Sequence, residues 1–229
     1  QMTPLLQREV WALDRNLPHI FYIVPDGYGR EDVLRETYGF VNAPFLDALR
    51  KRGFFVASRA RSNYAQTALS LASTLNMELV STIIPEQPAS STDRLVLGRA
   101  IREGRVFDLL SHRGYTTVAF ASGYPSTEVQ TAHRYEQPAQ RRSSDPFLEG
   151  FLDLTPLAHL RPALRQPSRG EQHRERVEFT LAQCAAFASE EHPVFVFAPI
   201  VLPHPPFLFD AHGRLPPGAP IDNYSEADG

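Results

Sequence analysis

Four stretches of the chain are apolar without alternation: His19 to Val24, Phe54 to Ala57, Tyr115 to Ala121, and Val194 to Val201. Unbroken runs of β-branched and aromatic residues fit strands covered on both faces, as in a parallel sheet. Between them the apolar positions recur with helical spacing. A helix is expected from Arg30 to about Tyr38-Gly39. A second follows Asn42, with Pro44 in its first turn, Phe45, Leu46 and Leu49 as its apolar face, an Asp47–Lys51 pair, and Gly53 as its stop. A third runs from Thr67 to about Met77 with Leu71, Ala72 and Leu75 inside. A fourth runs from Arg99 to Arg113 with Val106, Leu109 and Leu110 packed and Gly114 ending it. A fifth runs from Glu171 to Ser189, burying Val177, Leu181, Cys184 and Ala188. Strands alternating with helices predict an α/β fold with a mostly parallel central sheet flanked by helices.

The remaining segments read as connections. Gln1 to Leu17 is a lead-in around Trp11 and Leu13, and residues 18–229 form the domain proper. Ile83 to Ser91 is a Pro- and Ser-containing loop. The pattern loosens from Tyr124 to Arg169, where Gln137 to Pro146 reads as a surface excursion or lid, and the tail from Asp210 reads as loop.

Composition changes this picture little. Of 229 residues, 42% are hydrophobic and 21% charged, as in an ordinary globular protein. A formal charge of −3 gives no reason to expect nucleic acid or an anionic membrane as partner. Lys51 is the one lysine among the basic residues. The single cysteine, Cys184, excludes an internal disulfide and a cysteine-based zinc site. No run is long and apolar enough to span a bilayer, and the start lacks the pattern of a signal peptide. With no initial Met and a polar finish at Gly229, the sequence reads as a fragment.

In parallel sheets ligands collect beyond the carboxyl ends of the strands. Asp26 and His204 each follow such an end, and Thr67 opens a helix after another predicted strand. Asp26 can ligate a divalent cation, or simply make an Asp-Gly turn. The Thr67 hydroxyl stands at the positive end of a helix dipole, where an oxygen can lose its proton, or it merely caps the helix. His204, stiffened by Pro203, Pro205 and Pro206, suits anion binding or proton delivery. Arg30 can neutralise an anion or start a helix. Asn63 and Gln66 can orient a phosphate or only solvate a loop. His112, His133, His173 and His212 read as exposed structural residues.

The apolar strand before Asp26-Gly-Tyr-Gly-Arg30, the helix opening at Thr67-Ala-Leu-Ser70 and the strand before Leu-Pro-His204-Pro-Pro-Phe207 together resemble the amino-terminal half of the alkaline phosphatase/sulfatase superfamily. The resemblance is closest to sulfatase-like hydrolases and cell-envelope phosphotransferases, and covers residues 18–229. It implies an alkaline-phosphatase-like sheet, incomplete on its C-terminal side. It also implies a divalent metal (Zn, Mn, Mg or Ca) on Asp26 and Thr67, with Thr67 as nucleophile giving a phospho-threonine intermediate. His204, Asn63 and Arg30 would contact a small-molecule, lipid or glycan phosphoester on the extracytoplasmic face of a membrane-anchored parent. Two departures matter. Sulfatases carry Cys or Ser in Cys/Ser-x-Pro-x-Arg, whereas Thr67 is followed two positions on by Leu69, which favours phosphoester over sulfate ester chemistry. The family's later Asp-His-Gly segment has no counterpart, because no Asp-His pair occurs in these residues. Two other classes stay open: a non-catalytic α/β binding domain, and a nucleotide-binding fold disfavoured by the missing G-x-G-x-x-G spacing.

Overall fold

The computed structural model describes residues 17–86, 93–139, 154–155, 169–205, 209–210 and 213–214. The protein is an α/β fold built on four parallel strands, β1 (Ile20–Pro25), β2 (Thr116–Phe120), β3 (Arg134–Glu136) and β4 (Val194–Ile200), in the spatial order β1-β4-β2-β3. Its helices are α1 (Glu31–Tyr38), α2 (Ala43–Lys51), α3 (Thr67–Asn76), α4 (Val80–Ile83), α5 (Arg94–Arg102), α6 (Arg105–His112) and α7 (Arg169–Cys184). All seven residues of β4 are buried, which is what an unbroken apolar run in a central parallel strand requires. Pro199, which has no N–H to donate, sits past the last β2–β4 pair, Ala119 with Phe197.

Alternate residues of β4 serve two cores. Phe195 and Phe197 face Leu71, Leu75, Ile101 and Phe107, with Phe107 edge-on to both rings at 5.3 and 6.0 Å. Val194, Val196 and Ala198 face Phe120, Cys184 and Phe187 on the other side. The result is helix layers on both faces of the sheet.

Several expectations are corrected. Residues 54–57 form no strand: they have no neighbour in the sheet, and Phe54 and Phe55 are exposed. The helix expected from Arg99 to Arg113 is two helices. Asp93 starts α5 by accepting the Leu95 N–H at 2.9 Å, and Gly104 separates α5 from α6. A side chain at Gly104 would stand 3.0 Å from Leu75 Cβ, so the break is a point of close packing against α3. The short strand β3 lies inside the stretch expected to be irregular, and α4 begins before the expected loop.

The α7 helix gives way to a 3-10 turn over Ala185–Ser189. Tightening to three residues per turn buries Phe187, while Leu181 and Ala188 face out. On α2 only Leu46 is buried and Phe45 is exposed, and Asp47 pairs with Arg50 at 2.8 Å instead of Lys51. On α6, Phe107 is buried in place of Leu109. The expectations for the lead-in around Trp11, for most of the lid, for His212 and for most of the tail lie outside the described residues. Among the described residues no helix is long and apolar enough to cross a membrane.

Candidate functional site

Asp26 is the first residue past β1, and two backbone bonds fix it. Its N–H donates to the Ile200 carbonyl at 2.8 Å, and its own carbonyl accepts the His204 N–H at 3.0 Å. The loops after β1 and β4 are thereby laced together beyond the sheet. Gly27 makes the approach possible. It has φ of +78°, and a Cβ there would stand 3.3 Å from the backbone of His204. The Asp-Gly turn and the placement of a carboxylate at the sheet edge are one feature.

Thr67 is the first helical residue of α3. Gln66 holds the capping position and makes no side-chain cap bond. The Thr67 hydroxyl does not cap: it donates to Asp26 Oδ1 at 2.8 Å across 41 residues of sequence. Both residues line a cleft of about 850 Å³ with His204, Gln66, Tyr28, Tyr64 and the start of α5. The His204 ring places Nδ1 2.7 Å from the Pro205 carbonyl, so Nδ1 carries the proton of that bond.

The other two candidates lie elsewhere. Asn63 donates through Nδ2 to Ser73 Oγ at 3.0 Å, and Ser73 in turn donates to the Glu78 carbonyl at 2.7 Å. Asn63 thus braces the loop on α3 and is not among the residues lining the cleft. Arg30 forks onto Asp32 at 2.6 and 2.7 Å and lines a neighbouring cavity. The fork holds the Asp32 carboxyl at about 2, below its ordinary range.

Arg102 and Gly98, absent from the residues expected at the site, line the cleft from α5. Arg94, Gly98 and Arg102 recur every four residues, a spacing that sets them on one helix face and that could have flagged them. A side chain at Gly98 would stand 3.3 Å from Ser126 Cα, so the glycine lets the 124–127 loop close that wall. His173 is not the exposed residue its helical position suggests. It is half-buried, with Nε2 2.9 Å from the Val201 carbonyl. Burial first, and then the charges of Arg176 and His204, push its pKa down. The Cys184 thiol is pushed up by burial, the state of an inert core cysteine.

For a divalent cation the described residues supply two adjoining hard oxygens, Asp26 Oδ1 and Thr67 Oγ1. Asp26 is the one acidic side chain among the described residues lining the cleft. No group of three His, Cys, Asp or Glu side chains able to share a metal occurs among the described residues. A zinc, magnesium or calcium ion takes four or more ligands. The pair is therefore chemically suited to one corner of a coordination shell and does not make the whole of it.

Compared with known proteins, the chain matches no family model, no curated protein and no solved structure.

Proposed function

We propose that this chain carries the nucleophile side of a metal-dependent hydrolase or transferase acting on phosphoesters or phosphodiesters, with Thr67 as nucleophile. The observation that carries the reading is the 2.8 Å bond from the Thr67 hydroxyl to the Asp26 carboxylate, made at a helix start inside the cleft. A hydroxyl aimed at a carboxylate has its proton acceptor in place. The first turn of α3 presents backbone N–H groups without intrahelical partners, which favour negative charge on oxygen nearby. Thr67 Oγ1 would form a bond to phosphorus as the bond to the leaving oxygen breaks. Asp26 would take the hydroxyl proton, and the His204 ring, steadied by Pro205, would face the leaving group. Water or an acceptor hydroxyl would then release the phosphoryl group from Thr67.

The implied divalent metal (Zn, Mn, Mg or Ca) would rest on Asp26 and Thr67, with its further ligands coming from residues outside those described. When bound it would lower the hydroxyl pKa and neutralise charge on the phosphoryl oxygens. Kinship with the alkaline phosphatase/sulfatase superfamily, a lipid or glycan phosphoester substrate and a place on the extracytoplasmic face of a membrane-anchored parent belong to the same proposal. A second reading, a binding domain without turnover, is favoured by the shortage of metal ligands among the described residues.

One experiment separates them. The protein containing this chain, given Mn or Zn, should hydrolyse a chromogenic phosphodiester, and Thr67→Ala should abolish it. A quenched reaction should show phosphate on Thr67 by mass spectrometry. Full activity in Thr67→Ala sinks the nucleophile assignment, and no turnover with either metal favours the binding domain.

A further inference from the structure

The second cavity holds a charge surplus that the cleft does not use. It is an open hollow of about 700 Å³ lined by Arg30, Asp32, Ser58, Arg59 and Arg61. Its carboxylate is committed, since Asp32 takes both arms of the Arg30 fork. Three guanidinium charges against one carboxylate leave two positive charges, and Arg59 and Arg61 carry them on exposed side chains. Along the chain, Ala48 to Met77 holds five basic residues and no Asp or Glu; Glu36 adds its charge near Arg30 and is not among the residues lining the cavity. Arg30 also donates to the Ala60 carbonyl at 3.1 Å, which pins the loop between the two arginines.

We propose that this cavity is a phosphate site, in which Arg59 and Arg61 hold one phosphate group with Ser58 as a further donor. Guanidinium forks match the oxygens of a phosphate in pairs, and two surplus charges match the near-dianion that a phosphate monoester is at neutral pH. The site adjoins the cleft. Arg61 lines the cavity and Ser62, its chain neighbour about 3.8 Å away Cα to Cα, lines the cleft. The bound phosphate is then a second anionic group of the molecule whose phosphoester reaches Thr67, a step that rests on the proposed function. The substrate class narrows accordingly to molecules with two phosphates, one transferred and one held.

Calorimetric titration of inorganic pyrophosphate into the metal-free chain at low ionic strength tests the site without turnover. The expected result is single-site binding that weakens with added salt and drops by about tenfold or more in R59S/R61S, as loss of charged hydrogen bonds implies. The milder R59K/R61K keeps the charge, loses the fork and should fall between. Thermal melts check that the arginine variants stay folded. Absence of binding at millimolar pyrophosphate overturns the proposal. So does binding lost in Thr67→Ala and kept in R59S/R61S, which would put the anion in the cleft and leave the proposed function standing. If the arginine site binds while Thr67→Ala keeps full turnover, the link to catalysis falls and a separate phosphate site remains.

Discussion

Two loops leave the same edge of the sheet with similar polar residues and put them to opposite uses. After β2, Ser122 is buried and its hydroxyl pairs with Thr127 Oγ1 at 2.7 Å. Glu128 gathers the Gly123 N–H at 2.6 Å, the Ser122 N–H and hydroxyl, and the Tyr135 hydroxyl. Burial, then the bond and charge of Glu128, drive the Tyr135 pKa far up, and the Arg176 guanidinium lies against Gly123 with Glu128 as its leading counter-charge. After β1, the Asp26 carboxylate receives one described side-chain bond, from Thr67, and faces an open cleft. A carboxylate whose acceptor sites are filled by its own fold is a structural device. One that keeps sites open is available for chemistry. Both loops also bring a glycine into close approach, Gly123 to the Arg176 guanidinium and Gly27 to the His204 backbone, so close approach alone does not tell them apart.

Substitution should split the two loops cleanly. The largest effect is expected from Asp26→Asn in the catalytically competent protein: turnover should fall by about 10²–10⁴-fold, the range for losing a proton acceptor. The melting temperature should barely move. A variant that melts at a clearly lower temperature but keeps its specific activity would reverse the assignment. Glu128→Ala should do the opposite, costing about 3 kcal/mol in chemical denaturation because Arg176 and the Ser122 loop lose their partner together. Adding Arg176→Met should recover part of that loss, since the stranded charge is then gone. A cost in the single variant no larger than that of an exposed glutamate would show the network to be idle.

The smallest expected effect is a pH dependence centred on His173. Its pKa is lowered in the folded protein by burial and by Arg176 and His204, so the unfolded chain takes up the proton at a higher pH. Stability should be whole above the ordinary histidine value near 6.5 and decline as pH falls from there through the depressed folded value. Melting curves from pH 7.5 to 5 should show this slope, and His173→Gln should flatten it. An unchanged slope in the variant would remove His173 from the account and leave the other histidines to explain it.

The sheet was legible because burial on both faces leaves an unmistakable mark: three of the four expected apolar runs are strands. Phe54 to Ala57 failed because an apolar run states only a need for cover, and no strand stands beside it. The β3 strand was illegible since Arg134-Tyr135-Glu136 is polar and short and takes its form from pairing with β2. The split at Gly104 follows from contact with Leu75, and the burial of Phe187 from a change in helix pitch, neither of which periodicity records.

For the site, sequence alone placed Asp26 and His204 beyond strand ends and Thr67 at a helix start, because local pattern fixes where strands and helices stop. It could not say which polar residues share a space. That depends on side chains meeting across 41 residues, as Thr67 and Asp26 do, or on one being drawn away, as Asn63 is by Ser73 and Arg30 by Asp32. The chain determined by itself that the Asp26 carboxylate stands at the edge of the sheet and that the Thr67 hydroxyl stands at a helix start. Only the tertiary structure decided which of them are already bonded, because a hydrogen bond between distant residues is set by packing and leaves no period in the sequence.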